Sequence, residues 1–372
     1  MIQLMVMWVL IGLVCVIDVF VMVKLFLSLK MLRIGAVEAI ESQDLPTVSV
    51  CISARNETHA MTQCLERIVA SDYPKLEVIV LDDGSRDNTS LLIKSFAHAG
   101  VRFIEGSSLP DGWLGKNYAQ SILANEASGK LVFFLDVDTL IAKDTITRAV
   151  TYYVRSSARM VSIIPLRNDN WTSSTLLATM RYFWALTRFS PARPRAVANA
   201  WLIERQKIID EFHSDATLSA SMQLETTVAK RLARESAYRL IVSDKWLGLR
   251  YEKKWNSQVE TSIRLLYPQC HNNVLQVLGL LILLIVALSP YILVWLDIRF
   301  LILIIMQYIV AYYYLSHTWA KYRWIGALIL PYTLVQEAIL LVVSAYRYNF
   351  GTITWKGRPI TTQPVTKSDS AT

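Results

Sequence analysis

Four long apolar segments at the two ends of the chain constrain its fold more than any other feature. They are residues 4–23, 274–296, 300–315 and 324–345. A helix of about 20 predominantly apolar residues can cross a hydrocarbon core of roughly 30 Å. Hydrophobic residues make up 53% of the 372 residues and charged residues only 18%, which is too apolar for a purely soluble protein. The sequence therefore predicts membrane helices at both ends of a mixed central stretch.

The N-terminal segment predicts a retained membrane anchor over residues 1–33. Lys24, Lys30 and Arg33 follow the apolar run, whereas a cleavable signal peptide has basic residues before that run and a small-residue cleavage site after it. Basic residues that flank a span stay on the cytoplasmic side. We therefore expect a multi-pass protein of the cell membrane whose chain after Arg33 is cytoplasmic.

The C-terminal region, residues 274–346, predicts two or three spans. Three crossings would place the tail, residues 347–372, outside the cell. That tail is basic, through Arg347, Lys356, Arg358 and Lys367, and the positive-inside rule would keep it in the cytoplasm. The two arguments conflict. Residues 300–315 form the shortest segment, and a re-entrant or interfacial path for it would remove the conflict.

Residues 46–268 predict one α/β domain. Apolar alternation and short apolar runs predict strands at residues 47–54, 76–81, 101–104 and 131–135. A helix predicted over residues 57–70 joins the first two strands into a βαβ unit, which makes the sheet parallel. Ligands of such sheets bind at the carboxyl ends of the strands.

Two carboxylates follow the buried strand at residues 131–135. Asp136 and Asp138 are two residues apart, so both project to one side while the chain remains extended. Neighbouring carboxylates favour a cation between them, and Mg²⁺ or Mn²⁺ bound through one or two carboxylates and substrate phosphate fits this pattern. The alternative is that both residues only cap a turn or a helix. The position after a buried strand favours the metal site.

Asp82 and Asp83 follow the second predicted strand and have two interpretations. Their carboxylates are suited to accept hydrogen bonds from ribose hydroxyls or a base N–H group of a nucleotide. D-D-G-S is also ordinary turn chemistry, and Asp87 is suited to cap the next helix. No G-x-G-x-x-G follows the first strand, which argues against a dinucleotide-binding Rossmann domain.

The charge of the chain indicates its partners. Lys and Arg number 38 against 30 Asp and Glu, a net charge of +8. This excess suits a surface beside anionic lipid and attracts a phosphorylated substrate. The basic residues are dispersed and form no nucleic-acid-binding fingerprint, so we expect no nucleic acid as a partner.

Four segments, taken as a set, resemble the family 2 glycosyltransferases. They are SARNE at residues 53–57, LDDGSRDNT at 81–89, GWLGKNYA at 112–119 and FLDVDT at 134–139. The resemblance implies a GT-A-type fold with a mostly parallel sheet and helices on both faces, a nucleotide-diphosphate sugar donor, a divalent cation, and inversion at the anomeric carbon. The membrane segments and the tail WKGR at residues 355–358 look like the subgroup that glycosylates lipids such as carotenoids, hopanoids and ceramides.

The resemblance also implies roles for individual residues. It places beside the nucleotide Ala54, Arg55, Glu57 and Asp83, with Asp83 on the base or ribose. It places Asp136 near the ribose and diphosphate and makes Asp138 the principal metal ligand.

The GWLGK segment adds two candidate residues. Lys116 is suited to meet the sugar or diphosphate, because an ammonium offsets phosphate charge; a solvated loop lysine is the alternative. Trp113, expected to be exposed between glycines, is either a stacking platform for a sugar ring or an anchor at the membrane interface.

Glu225 is the candidate general base. Matching residues 229–232 to the family helix puts Glu225 at the position of the catalytic Asp and Leu224 at that of the preceding Glu. Glu is competent to remove the acceptor proton, although it is one methylene longer than Asp. A helix-start acid that complements the macrodipole explains the same residue equally well.

Acceptor recognition is less defined. The Q-x-x-R-W signature of processive synthases is absent from the sequence, which argues against polymer synthesis. Residues 172–189 predict an amphipathic helix, either at the membrane interface or in the domain core. The sequence thus predicts transfer of a single sugar to a lipid hydroxyl at the cytoplasmic face. The alternatives are a polysaccharide synthase component and a non-catalytic membrane-bound nucleotide-sugar-binding relative.

Overall fold

The computed structural model describes residues 2–35, 37, 40–168, 175–177, 180, 182–356 and 358–359. Several positions discussed above lie outside these residues. They include most of residues 172–181 in the predicted amphipathic helix, and Gly357 and Lys367 in the tail.

A seven-stranded sheet forms the centre of the molecule, in the spatial order β3-β2-β1-β4-β8-β6-β9. Its strands are β1 (Val48–Ala54), β2 (Leu76–Asp82), β3 (Val101–Glu105), β4 (Leu131–Leu135), β6 (Met160–Ile164), β8 (Ala200–Glu204) and β9 (Tyr238–Val242). Only β8 runs antiparallel to its neighbours in this sheet. A mostly parallel sheet is therefore confirmed, and the four predicted strands agree with β1 to β4 to within one residue at each end.

Short strands and helices complete the domain. A small second sheet contains β5 (Thr139–Leu140), β7 (Leu166–Arg167) and β10 (Arg250–Tyr251). The helices are α2 (Thr58–Val69), α3 (Thr89–Ser95), α4 (Gly115–Glu126), α5 (Thr145–Arg155), α6 (Phe183–Thr187), α7 (Arg205–Ser214), α8 (Leu224–Arg234) and α9 (Trp255–Gln269).

Helices cover both faces of the large sheet because its strands are apolar on both faces. In β1, Cys51 packs into one core with Leu123 of α4, while Val50 packs into the other with Leu65 of α2. All five residues of β4 are buried, as expected for a central strand between two helical layers. This sandwich holds the carboxyl ends of β1, β2 and β4 in fixed relative positions.

Three helices within the described residues are long and apolar enough to cross a membrane, judged by length and composition. They lie in α1 (Ile2–Leu32), α10 (Val274–Leu293) and α11 (Phe300–Thr318). The end of α1 extends beyond the predicted span, and Leu25 and Leu29 are fully buried in a core shared with the domain. The domain that contains the large sheet therefore packs directly against the first of these candidate membrane helices.

The segment predicted at residues 324–345 is not one continuous helix. It divides at Ile329 into α12 (Arg323–Leu328) and α13 (Leu330–Phe350), and α13 is not among the three candidate spans. By contrast, residues 300–315, expected to be the weakest span, extend to Thr318 and qualify as a candidate. The predicted span ended at Leu315 because polar residues follow it, yet helix α11 continues through these residues to Thr318.

Both ends of the α12–α13 segment are tied to the domain. At its start, the Ala320 N–H donates to the Arg167 carbonyl at 2.7 Å. At its end, the Tyr348 hydroxyl donates to the Arg264 carbonyl of α9 at 2.8 Å. After α13, a hairpin of β11 (Thr354–Trp355) and β12 (Arg358–Pro359) returns to the domain.

Candidate active site

A cavity opens at the carboxyl end of β4. Its walls include the first turns of α4 and α8, together with parts of α6 and α9. The lining side chains with chemistry to offer include Lys116, Asp136, Lys253, Glu225, Arg264 and Trp184. Three candidates from the sequence, Lys116, Asp136 and Glu225, thus share one cavity.

Lys116 and Asp136 form an ion pair inside this cavity. The Nζ atom of Lys116 lies 2.5 Å from Oδ1 of Asp136, and the Asn199 side-chain amide donates to Oδ2 at 3.2 Å. The start of α4 is held in place because the Asn117 amide donates to the carbonyls of residues 218, 219 and 221. The sequence GWLGK therefore positions an ammonium group opposite the carboxylate that follows β4.

Asp138 has a different cationic partner. Lys253, which also lines the cavity, places its Nζ atom 3.4 Å from Oδ2 of Asp138. The extended chain expected here is not observed. Instead, residues 136–139 form a turn in which the Thr139 N–H donates to the Asp136 carbonyl at 2.9 Å. Val137 is buried in the domain core by this turn, so Asp136 and Asp138 reach the same edge by a turn rather than by strand alternation.

The carboxylates at this edge lie close enough to interact. Burial raises the pKa of the Cys64 thiol to about 12, and Asp138, Glu57 and Asp136 add to this rise, in that order. Burial also raises the pKa of Glu57, with Lys356 opposing the rise and Asp138 adding to it. Glu57, Asp136 and Asp138 therefore share one electrostatic environment.

The described residues contain no group of three or more His, Cys, Asp or Glu side chains arranged to hold a metal ion. A hard cation such as Mg²⁺ does not require such a group, because it binds through one or two carboxylates and takes its remaining ligands from water and substrate phosphates. Asp136 and Asp138 match that donor set. The residues present fit a divalent cation that arrives with a phosphorylated ligand.

A second group of predicted residues lies at the ends of β1 and β2. The Arg358 guanidinium binds Asp83 through Nη1, at 2.8 Å from both carboxylate oxygens, and Lys356 Nζ lies 2.8 Å from Glu57. Arg55 donates to the Asp83 and Gly84 carbonyls. At the end of β1, the Ala54 carbonyl accepts from the Asp83 N–H at 2.8 Å.

Lys356 and Arg358 were not identified as site residues from the sequence. The WKGR tail carried part of the family resemblance, but 275 residues separate Arg358 from Asp83. No local pattern connects two positions so far apart. The fold of the C-terminal helices α10 to α13 brings them together.

Asp82 is used within its own turn. Its carboxylate accepts hydrogen bonds from the Ser85 N–H, at 3.2 Å, and from the hydroxyls of Ser85 and Ser90. This geometry matches the turn alternative for Asp82. Asp83 therefore remains the candidate nucleotide ligand of the D-D-G-S segment.

Trp113 packs against the domain instead of standing exposed. Its ring meets Tyr118 at 5.4 Å in an edge arrangement and Phe212 at 6.0 Å. The described residues that line the cavity begin one position later, at Leu114. The indole thus braces the loop before α4 and is half-buried rather than fully exposed.

Glu225 lies in the first turn of α8 and lines the cavity. Burial raises the pKa of its carboxyl group to about 7, while Lys116 and Arg264 oppose the rise and Asp136 adds to it. Leu224, at the position of the family Glu, is buried in the core. Of this pair, only Glu225 reaches the cavity, with a pKa suited to accept a proton near neutral pH.

Comparison with known proteins identifies the domain. Residues 49–202 match the family model Glycosyl transferase family 2, so the chain contains a domain of this family. An N-acetylglucosaminyltransferase of Rhizobium meliloti (strain 1021) is 31% identical over 164 residues, which cover 43% of this chain and 38% of the relative. An undecaprenyl-phosphate 4-deoxy-4-formamido-L-arabinose transferase of Aeromonas hydrophila is 32% identical over 139 residues, covering 36% and 41%. The match thus spans about two fifths of the length of these curated relatives.

A solved structure resembles nearly the whole chain. It is the mannosyltransferase PcManGT from Pyrobaculum calidifontis in complex with GDP-Man and Mn²⁺, with a TM-score of 0.54 and 17% identity, covering 92% of this chain and 98% of that one. At this level of identity the likeness concerns the fold alone. The domain has a GT-A-type α/β fold, as the resemblance implied.

Proposed function

We propose that this chain, with its glycosyltransferase family 2 domain, is a membrane-bound inverting glycosyltransferase. It transfers one sugar from a nucleotide-diphosphate sugar to a hydroxyl group of a lipid, at the cytoplasmic face of the membrane. The observation that carries the proposal is the cavity that holds the Lys116–Asp136 pair and Glu225 and that shares Trp184 with a second cavity among the candidate membrane helices.

The donor binds along the ends of β1, β2 and β4. Asp83 receives the base or ribose, Arg55 and Glu57 flank the nucleotide, and the diphosphate lies toward Asp136 and Asp138. A divalent cation held by these two carboxylates, Mg²⁺ or Mn²⁺, would stabilise the negative charge of the leaving diphosphate. The printed title of PcManGT includes GDP-Man and Mn²⁺, which supports the same combination here.

Two side chains, Glu225 and Lys116, take part in the transfer step. The acceptor hydroxyl attacks the anomeric carbon from the face opposite the diphosphate, and Glu225 takes the hydroxyl proton as the new C–O bond forms. The bond between the anomeric carbon and the diphosphate oxygen breaks, and the nucleoside diphosphate leaves with the bonding electrons. The Lys116 ammonium stabilises the charge that develops on this leaving group. Attack from the opposite face inverts the anomeric centre.

A second cavity supports a lipid acceptor. It lies among the candidate membrane helices and is lined mainly by apolar residues of α1, α10, α11 and α13, including Val21, Leu284, Ala311 and Leu334, with Asp18 and Gln307 as its polar members. Trp184 lines both this cavity and the catalytic one, and its Nε1 donates to Glu337 at 2.8 Å. An apolar chain placed among the helices would thus bring its polar end toward Glu225.

The acceptor end of the catalytic cavity is basic. Arg188, Arg195 and Arg264 line it, and the Arg188 guanidinium lies over the Trp184 ring at 5.4 Å from its centre. Arginine side chains beside a membrane surface suit polar or anionic lipid headgroups. The Aeromonas hydrophila relative, whose printed name contains undecaprenyl-phosphate, supports a substrate of this lipid-linked kind.

The fold favours two crossings in the C-terminal region. If α10 and α11 cross, the chain returns to the side of the domain, where the α12–α13 segment is tied at both ends. The hairpin then lies on the same side, which agrees with the contact between Lys356 and Glu57. This arrangement keeps the basic tail in the cytoplasm and removes the conflict between span count and charge.

The test is mass spectrometry of membrane lipids from cells with and without the expressed chain. The proposal predicts one lipid class that gains the mass of a single sugar, and no gain when Glu225→Gln is expressed at the same level. A ladder of sugar additions would identify a polysaccharide synthase component instead. Metal-dependent donor binding without any glycosylated product would identify a non-catalytic nucleotide-sugar-binding protein.

A further inference from the structure

The C-terminal hairpin reaches into the proposed donor site. Besides the ion pairs with Asp83 and Glu57, its backbone is held from two sides. The Lys356 N–H donates to Glu260 of α9 at 2.9 Å, and the Lys356 carbonyl accepts from Nε of Arg55 at 3.3 Å. The hairpin therefore contacts the two strand ends where a nucleotide would bind, and α9 fixes its base there.

Each carboxylate proposed for the donor site is already paired with one cation. The pairs are Asp136 with Lys116, Asp138 with Lys253, Glu57 with Lys356, and Asp83 with Arg358. The cations come from three parts of the chain: Lys116 from α4, Lys253 from the segment before α9, and the other two from the hairpin. The side chains in the two hairpin pairs are between 9% and 31% exposed, so they are partly desolvated, and a charge left without a partner there is costly.

Donor binding requires these pairs to exchange partners. A nucleoside that binds Asp83 needs carboxylate oxygens that Arg358 now occupies, and a divalent cation needs oxygens that face Lys116 and Lys253. The four cations then need other anions. A nucleotide-diphosphate sugar brings two phosphate charges and its cation brings two positive charges, so the exchange leaves the net charge of the site unchanged.

We infer that the hairpin is part of the donor site, and that Lys356 and Arg358 bind the diphosphate of the donor when the donor takes their place on Glu57 and Asp83. This inference rests on the proposed function. Arginine suits the task because its planar guanidinium binds carboxylate and phosphate through the same pair of parallel hydrogen bonds. The α9 contact holds the hairpin base while the two side chains change partners. The side chains of Lys356 and Arg358 thus complete the donor site beside the phosphates.

The test compares nucleotide affinities of the full-length protein in detergent by calorimetry. The probes are UDP and GDP with Mn²⁺, and the matching nucleosides, uridine and guanosine. The variants are Arg358→Gln and Lys356→Gln. Arg347→Gln is the matched control, because Arg347 is an exposed basic residue at the end of α13 with no part in the site.

The inference predicts that each hairpin variant binds the diphosphate about tenfold more weakly, the size expected for the loss of a charged hydrogen bond. Nucleoside affinity should stay unchanged or increase, because Arg358 no longer competes for Asp83. Retained nucleoside binding shows that the variant is folded, and Arg358→Lys should recover part of the diphosphate affinity. Arg347→Gln should match the wild type with every probe.

Two results overturn the inference without touching the proposed function. Unchanged diphosphate affinity in both hairpin variants would mean that the tail does not contact the phosphates. Increased diphosphate affinity would mean that the tail only blocks the site. If the wild-type protein binds neither UDP nor GDP, the proposed function fails, and the inference fails with it.

Discussion

The ammonium group of Lys116 lies 2.5 Å from the carboxylate of Asp136, inside the cavity that Glu225 also lines. This pair joins the first turn of α4 to the turn after β4. It brings a cation and an anion to the place where the proposed mechanism needs a leaving diphosphate and its metal. The two motifs therefore form one site, although 20 residues separate them in the sequence.

Replacing Lys116 with Met should reduce kcat strongly. In the proposed step the ammonium stabilises charge that develops on the leaving diphosphate, and loss of one such preorganised donor costs about 10²–10³ in rate. Steady-state transfer assays would measure the change. The control is Lys130→Met, at an exposed lysine of the same domain, which should keep wild-type kcat. A Lys116→Met enzyme with normal kcat would remove Lys116 from the mechanism.

Glu225 should give the reaction a pH dependence centred near neutrality. Burial raises the pKa of this carboxyl group to about 7, and only its ionised form accepts a proton. We therefore expect kcat/KM to fall as pH decreases through about 7 and to level off above it. Glu225→Gln should lose about 10²–10⁴ of the rate, the contribution of a general base. Glu225→Asp should retain part of it. A profile that stays flat between pH 5 and 8 would contradict the assignment.

The same carboxyl group should also couple stability to pH. Its pKa is about 7 in the folded protein against a reference value of 4.5, so folding favours the protonated form. The stability it contributes is full below pH 4.5 and is lost as pH rises through 7. Thermal unfolding should therefore show Glu225→Gln gaining stability over the wild type between pH 5 and pH 8. A difference that does not change with pH would mean that the carboxyl group titrates normally.

Much of the domain followed from local sequence. The run LVFFL is apolar at every position, and it forms the central strand β4 with helices on both sides. The alternation in residues 47–54 predicted the strand β1, whose Val50 and Cys51 enter opposite cores. These patterns are predictive because burial on one or two faces imposes a period of two or a continuous apolar run.

Other features depend on contacts that no local pattern contains. Asp136 and Asp138 approach one edge through a turn that buries Val137, and the D-x-D spacing alone does not distinguish a turn from an extended strand. The helix breaks at Ile329, and the contact between the hairpin and Asp83 joins parts of the chain that lie far apart in sequence. Such long-range packing has no signature in a single sequence.

Filling the apolar cavity should weaken acceptor use selectively. Ala287 of α10 lines this cavity, so Ala287→Phe would occupy space proposed for the lipid chain. KM for the lipid acceptor should increase, whereas Mn²⁺-dependent binding of the donor nucleotide should stay at the wild-type level. Steady-state kinetics with the lipid identified by mass spectrometry would measure KM, and calorimetry would measure binding of the donor nucleotide.

The matched control for this cavity is Ile282→Phe on the same helix. Ile282 is 62% exposed, and a larger apolar side chain there would face the membrane lipid. Equal KM values for the wild type and Ala287→Phe would place the acceptor elsewhere, as would an equal increase of KM in Ala287→Phe and Ile282→Phe.

The most direct test of the central claim is metal-dependent nucleotide binding at Asp138. In the proposed site, carboxylates at the rim of the sheet bind a cation, which in turn binds the donor diphosphate. Calorimetry with UDP and GDP in the presence of Mn²⁺ should give a measurable Kd for the wild type and for Asp210→Asn, a control at an exposed carboxylate. Asp138→Asn should weaken this binding by about tenfold or more, and chelation of Mn²⁺ should abolish the difference between the proteins. Wild-type affinity in Asp138→Asn, with the same dependence on Mn²⁺, would contradict the account.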